Sequence, residues 1–221
     1  MICALVFDFD CLILNTEEPV YESWKALYRQ YGQDFSLAEW GQYIGLKQGS
    51  FDPLEALVRR LKSPINRQAA AAQRSQHELD LIERQPILPG VLALLQRARQ
   101  LGLKLGVASS SSCDWVAGHL ERRGLIHYFD AIRTGDEVAH AKPSPEVYLA
   151  VLNDLQATAS QAIAFEDSPN GVLAAQKAGL LVVAVPNPLT SQLAFPPVDL
   201  KLDSLADITL DELIRQLDRP A

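Results

Sequence analysis

The sequence predicts an α/β fold, in which a parallel sheet alternates with helices and is interrupted by one inserted helical domain. Short apolar runs recur at residues 3–9, 103–108, 131–133, 162–165 and 181–185. Runs of this length are typical of strands that are buried on both faces of a parallel sheet. Between them the apolar residues take helical spacing, as in the stretch from Val91 to the helix-ending Gly102. Strands that alternate with helices predict an α/β architecture.

An inserted domain is predicted because residues 17–86 break this alternation. They contain no clear strand pattern but a succession of helical ones, with a capping box at residues 36–39 and a proline-assisted helix start at Asp52. We therefore expect residues 1–16 and 87–221 to form the sheet-containing core. The intervening segment would form a helical domain between two linkers and could move as a lid.

Composition and charge narrow the classes of protein. The chain has 221 residues, 48% of them hydrophobic, which is enough for a substantial core. Its net charge is -7, without a long basic run, so we expect no nucleic-acid partner. The N-terminus lacks a basic leader, and no apolar run reaches about 18 residues, so we expect neither a signal peptide nor a membrane partner. Three cysteines without CxxC spacing fit reduced thiols, so we expect a cytoplasmic protein.

Polar residues that could carry chemistry follow several of the predicted strands. Taken alone, each of these residues could also have no role in chemistry and belong to a solvated aspartate turn or a serine-rich loop, or be an exposed lysine. Because the carboxyl ends of parallel strands share one edge of the sheet, however, we expect these groups to meet there. Carboxylates, a hydroxyl and an amine are what Mg²⁺ binding and phosphoryl transfer need. The residues are Asp8, Asp10, Ser109, Ser110, Lys142, Glu166 and Asp167.

In their order along the chain, these residues resemble the four motifs of the haloacid dehalogenase-like hydrolase superfamily. The resemblance covers essentially the whole chain and implies a Rossmann-like core with an all-helical cap domain at residues 17–86. Within the superfamily, the segments 15–17, 142–145 and 166–171 are most similar to the branch that contains β-phosphoglucomutase and sugar-phosphate phosphatases.

The resemblance also implies a role for each catalytic residue. Asp8 would attack phosphorus and form an aspartyl-phosphate, and Asp10 would act as the general acid and base. Ser109 would hold phosphoryl oxygens, and Lys142 would neutralise charge.

Metal and substrate contacts are implied in the same way. Mg²⁺ would be bound by Asp8, by the backbone carbonyl of Asp10, by Asp167 and by Glu166, the last directly or through water. Substrate contacts are expected from Thr16, Lys47, Ser110 and Asn170. For Lys47 an exposed loop lysine, and for Asn170 a helix-capping role, remain equally open.

The function expected from these residues is that of a Mg²⁺-dependent phosphatase acting as a monomer on a small phosphorylated metabolite, with a sugar phosphate favoured. Asp10 argues against dehalogenation, which needs no leaving-group acid. A phosphomutase is the first alternative, but Val20 stands where that branch usually has a histidine. A sugar-phosphate-binding protein without turnover is the second, because Cys11 and Asn15 replace the usual glycine and aspartate.

Overall fold

The structure, a computed structural model, describes residues 1–40, 51–188 and 190–217, and its centre is a six-stranded parallel sheet. The strand order is β3-β2-β1-β4-β5-β6, which confirms the predicted α/β class. The order reverses on either side of β1, and ligands of such sheets bind outside the carboxyl ends of the strands at this reversal. The strands are β1 (Ala4–Phe7), β2 (Lys104–Ala108), β3 (Ala131–Arg133), β4 (Ala162–Glu166), β5 (Leu181–Ala184) and β6 (Leu200–Lys201).

The chain divides into two compact units, Met1–Leu14 with Ile87–Ala221, and Asn15–Pro86. Helices of the first unit are α4 (Val91–Gln100), α5 (Cys113–Arg122), α6 (Glu146–Leu155), α7 (Pro169–Lys177) and α8 (Leu210–Leu217). Those of the second are α1 (Glu17–Gln30), α2 (Pro53–Arg60) and α3 (Arg67–Glu83). Within the described ranges, every helix is too short or too polar to cross a lipid bilayer.

The second unit begins with residues that cap its first helix. Thr16 is the N-cap residue of α1, and the side chain of Asn15 pairs with Glu18 in the first turn. Both residues lie in this unit, which begins two residues before the predicted start of the inserted domain at residue 17. The carboxylate of Asp52 accepts hydrogen bonds from the backbone N–H groups of Leu54 and Glu55, as expected of an N-cap ahead of Pro53.

The register of the sheet places the ends of its three central strands level with one another. Phe7 of β1 pairs with Val107 of β2 and with Phe165 of β4. The next residue of the chain, Asp8, is therefore level with Ala108 on one side and Glu166 on the other. All residues of β1 and β4 are buried, so these polar groups emerge from the most enclosed part of the fold.

Helix α6 lies close against the sheet because β2 has a glycine at the point of contact. A Cβ atom built on Gly106 would lie 2.4 Å from the Cγ1 atom of Val151, which no real pair of atoms tolerates. A valine in a helix has one strongly preferred rotamer, so it cannot turn aside. The close approach matters because α6 also carries the buried Tyr148, whose hydroxyl donates a hydrogen bond to Glu166 at the end of β4.

This packing predicts opposite effects for one substitution at two glycines. Gly106→Ala should lower the free energy of unfolding by about 1–3 kcal/mol, because it overpacks the contact with Val151. Gly118→Ala in α5 should raise it by up to about 1 kcal/mol, because alanine favours a helix and the new Cβ meets only the end of the Arg122 side chain. Urea unfolding measures both changes. A Gly106→Ala variant as stable as the unsubstituted protein would contradict the account.

Candidate active site

The ammonium group of Lys142 joins the ends of three strands. Its Nζ atom donates hydrogen bonds to Oδ1 of Asp8 at 2.6 Å, to the carbonyl oxygen of Ala108 at 2.8 Å and to Oε1 of Glu166 at 2.6 Å. All three of its protons are thus used. The Lys142 side chain is only 5% exposed, so these are buried, charge-assisted contacts. Burial opposes its charge, but the Asp8 and Glu166 carboxylates outweigh that effect and raise the pKa of Lys142 above its ordinary value.

Three buried carboxylates form a cluster around this ammonium group. Oxygen atoms of Asp8, Glu166 and Asp167 all lie within 4.8 Å of one another. Their formal charge of -3 is only partly offset by the +1 of Lys142, which leaves -2 in a buried place. An uncompensated buried charge of this size is costly, and a divalent cation would balance it. The donor set, carboxylate oxygen throughout, fits a hard cation such as Mg²⁺.

The pKa of Asp8 reflects the same shortage of positive charge. Burial, opposed by Lys142 and assisted by the Glu166 and Asp10 carboxylates, raises the pKa of Asp8 to about 7. A cation bound at the cluster would lower this pKa and keep the carboxylate ionised at neutral pH.

Glu166 is also held in place by a tyrosine of α6. Its Oε1 atom also accepts a hydrogen bond from the hydroxyl of Tyr148 at 2.5 Å. Burial, and then the charges of Glu166 and Asp8, raise the pKa of Tyr148 well above its ordinary value, so the phenol remains a donor. A Cβ atom on Gly171 would lie 1.9 Å from Oε2 of Glu166, which explains why a glycine occupies the first turn of α7.

The Asp10 carboxylate is bound by two donors. The Ser111 hydroxyl donates to its Oδ2 atom at 2.5 Å, and the indole N–H of Trp115 donates to its Oδ1 atom at 3.1 Å. Both donors come from the segment after β2 and belong to the first unit. Asp10 is half-buried, so it remains partly accessible to solvent.

Ser109 is buried at the end of β2. Its backbone N–H donates to the carbonyl oxygen of Arg133, and its hydroxyl accepts from the N–H of Ser111 at 3.1 Å. Its neighbour Ser110 is exposed. Helix α5 begins after its N-cap residue Ser112, which makes no side-chain capping bond, and Asp114 lies in the first helical turn.

The loop with Lys142 leads into α6. Pro145 occupies the N-cap position of that helix, and it makes no side-chain capping bond. Ser144 donates instead to Oε1 of Glu146 at 3.1 Å. Proline at the cap leaves Ser144 one position too early to reach the backbone N–H groups of the helix.

The expected substrate contacts lie in different parts of the chain. Asn170 is exposed in the first turn of α7, whose N-cap is Ser168, so Asn170 is not the capping residue. Thr16 is buried in the second unit. Lys47 lies outside the described residues.

Two departures from the usual family motif have structural explanations. Cys11 has a φ angle of 61°, in the left-handed region that favours glycine and costs other residues about 1–2 kcal/mol. Its N–H nevertheless donates to the carbonyl oxygen of Leu14 at 2.7 Å, so the turn is closed. The amide of Asn15 donates to Glu18 at 2.9 Å, which the carboxylate of an aspartate could not do.

Comparison with known proteins gives the family. The family model for haloacid dehalogenase-like hydrolases matches residues 5–185, most of the chain. The Bacillus subtilis protein YhcW, a candidate phosphatase, is 41% identical over 98% of each chain. This chain belongs to the haloacid dehalogenase-like hydrolases. Membership confirms the predicted family, and the predicted enzyme class of phosphoric monoester hydrolase is confirmed with it.

Other relatives of this hydrolase act on or bind phosphorylated sugars. A Thermotoga maritima protein named phosphorylated carbohydrates phosphatase is 27% identical over 80% of this chain and 82% of its own. The crystal structure of CbbY from Rhodobacter sphaeroides in complex with phosphate is 28% identical, covers 99% of this chain and 100% of its own, and has a TM-score of 0.76. A CbbY variant was solved in complex with xylulose 1,5-bisphosphate, with a TM-score of 0.75 and 28% identity over 96% of this chain and 99% of its own.

Sequence reasoning missed four polar side chains that contact the predicted site residues of this hydrolase. Tyr148 and Trp115 lie in helices, at positions whose sequence spacing indicates only core packing. Ser111 is one of four consecutive serines, and nothing in the sequence distinguishes it from the others. Asn187 donates to Oδ2 of Asp167 at 3.1 Å. It follows β5, so the strand-end pattern used for the other residues could have found it.

The contact between Tyr148 and Glu166 predicts a loss of stability on removal of one hydroxyl. Tyr148→Phe should lower the free energy of unfolding of this hydrolase by about 1.5–3 kcal/mol, because a hydrogen bond to a buried charged group is lost. The matched control Tyr128→Phe removes a hydroxyl from the helical turn before β3 and should change stability by less than about 0.5 kcal/mol. Equal urea midpoints for the two variants would contradict the prediction.

Proposed function

We propose that this hydrolase is a Mg²⁺-dependent phosphatase that releases phosphate from a small phosphorylated sugar through an aspartyl-phosphate on Asp8. The observation that supports this most strongly is the arrangement around Lys142, where one ammonium group contacts Asp8 and Glu166 within a carboxylate cluster of excess negative charge. A buried carboxylate beside an ammonium group and a site for a divalent cation suits attack on a phosphate dianion, since the surrounding charges offset its repulsion.

In the first half of the reaction, a carboxylate oxygen of Asp8 attacks phosphorus. A bond forms between Asp8 and phosphorus, and the bond from phosphorus to the sugar oxygen breaks. Asp10 gives its proton to the departing alkoxide, so the sugar leaves as an alcohol. Lys142 stays protonated and lowers the repulsion between Asp8 and the incoming phosphoryl group.

In the second half, water attacks the phosphorus of the aspartyl-phosphate. Asp10, now ionised, takes a proton from that water, the bond between Asp8 and phosphorus breaks, and inorganic phosphate forms. The Ser109 hydroxyl and the N–H of Ser110 hold phosphoryl oxygens in both halves. Asp8, Asp167, the Asp10 carbonyl and Glu166 would hold Mg²⁺, which would supply positive charge to neutralise and align the phosphoryl group.

A sugar phosphate as substrate is supported by the relatives, since the Thermotoga maritima phosphatase is named for phosphorylated carbohydrates and CbbY binds a sugar bisphosphate. Thr16, Lys47, Ser110 and Asn170 are the proposed contacts to it. Hydrolysis rather than mutase chemistry is supported by Val20, which has no proton to give or take at the position of the mutase histidine. The monomer expected from a movable lid stays a prediction.

A phosphate-release assay over a panel of sugar phosphates and p-nitrophenyl phosphate tests the proposal. Release should require Mg²⁺, stop with chelator, and fall at least about a thousandfold in Asp8→Asn, because the nucleophile is lost. Asp203→Asn makes the same change at an exposed aspartate and should leave the rate unaltered. Release that persists in Asp8→Asn would contradict the proposed nucleophile.

Two further measurements separate the proposal from its alternatives. Hydroxylamine added during turnover should convert Asp8 to a hydroxamate, which peptide mass spectrometry locates, because acyl phosphates react with this nucleophile. An isomerised sugar phosphate without free phosphate would indicate a mutase. Binding of sugar phosphates without any product would indicate the non-catalytic alternative.

A further inference from the structure

We propose that Trp115 and Ser111 form a clamp that holds the Asp10 carboxylate in its working orientation, with Trp115 as a positioning residue. The inference rests on the proposed function, because it assumes that Asp10 is the general acid and base. The Asp10 clamp consists of the hydroxyl of Ser111 and the indole N–H of Trp115.

The clamp binds both oxygens of the carboxylate, one donor to each. Ser111 donates to Oδ2 at 2.5 Å and Trp115 to Oδ1 at 3.1 Å. One donor alone would leave the carboxylate able to rotate about its terminal bond, a torsion with broad preferences. Two donors, one just before α5 and one in its first turn, fix the plane of the group. A general acid must be held within hydrogen-bond reach of the leaving oxygen, so this orientation bears directly on the rate.

The two donors differ in whether they can also accept a hydrogen bond. An indole N–H can only donate, so Trp115 holds Oδ1 as an acceptor. A serine hydroxyl can donate or accept, so Ser111 can face Oδ2 in either role. The clamp therefore fixes Oδ1 and leaves Oδ2 the more adaptable of the two oxygens.

The Trp115 ring packs against His119, which in turn packs against Phe9 in the segment after β1. The ring of His119 meets the Trp115 ring edge to face at 4.4 Å and stacks on Phe9 at 6.1 Å between centroids. His119 is 1% exposed, and its Nδ1 atom contacts the guanidinium of Arg122 at 3.1 Å. Because Phe9 lies between Asp8 and Asp10 in the chain, this packing ties α5 to the same turn whose carboxylate it clamps.

Leaving-group dependence tests the clamp and distinguishes it from a merely structural contact. Sugar alkoxides are poor leaving groups that need the proton of Asp10, whereas p-nitrophenolate leaves without much help. The quantity to compare is kcat/KM, which covers the steps up to departure of the leaving group and not the later hydrolysis of the aspartyl-phosphate that both substrates share. Trp115→Phe should therefore lower kcat/KM for the best sugar phosphate by about tenfold or more, a part of the roughly 10²–10⁴ that general acids contribute. It should lower kcat/KM for p-nitrophenyl phosphate by less than about twofold. Ser111→Ala should show the same asymmetry, and it provides the test if Trp115→Phe does not fold.

Control variants keep this outcome separate from that of the proposed function. Trp24→Phe removes a buried indole from α1, in the second unit, and should leave the ratio of the two kcat/KM values unchanged. Asp10→Asn should show the same asymmetry in kcat/KM as the clamp variants, only larger. If Asp10→Asn lowers kcat/KM equally for both substrates, the acid role in the proposed function fails, and the clamp fails with it.

Three results would overturn the clamp while leaving the proposed function intact. Equal losses of kcat/KM on both substrates in the clamp variants would mean that Trp115 and Ser111 only stabilise the fold. Unchanged rates would mean that Asp10 needs no clamp. A faster reaction with the sugar phosphate would mean that the two donors restrain Asp10 away from its working position.

Discussion

The buried ammonium group of Lys142 is the interaction on which the rest of the site depends. It reaches the ends of β1, β2 and β4 at once, through Asp8, the carbonyl of Ala108 and Glu166. Three carboxylates could not share this buried edge of the sheet without it, since each would face like charges in a place of low polarity. The remaining excess of negative charge is what would attract a divalent cation to the site. The charges of Lys142 and the three carboxylates thus explain both how this edge of the sheet is held together and why a cation would bind there.

The supporting elements are explained by the need to fix that cluster. Gly106 lets α6 approach the sheet, and α6 brings the Tyr148 hydroxyl to Glu166. Gly171 leaves room for the same carboxylate at the start of α7. On the other side of β1, the start of α5 supplies the two donors to Asp10. The carboxylate cluster and Asp10 are therefore held by different helices.

Much of this arrangement could be predicted from the sequence. Buried parallel strands are recognised as short apolar runs, and the carboxyl ends of such strands share one edge of the sheet. That rule predicts the meeting of Asp8 and Glu166, both of which contact the ammonium group of Lys142. Tyr148 and Trp115 could not be found in this way, since their helical spacing resembles ordinary core packing. The N-cap residues of α5 and α6, Ser112 and Pro145, make no side-chain capping bond, so no capping pattern in the sequence marks them. The pairing of Asn15 with Glu18 depends on a side-chain rotamer rather than on a pattern.

The most direct test of the central claim is a crystal structure grown with saturating Mg²⁺. The account predicts one ion with oxygen ligands from Asp8 and Asp167 at about 2.1 Å, with the ammonium group of Lys142 still in contact with Asp8 and Glu166. A cluster that remains without an ion at saturating Mg²⁺, or an ion that is bound away from these carboxylates, would contradict it.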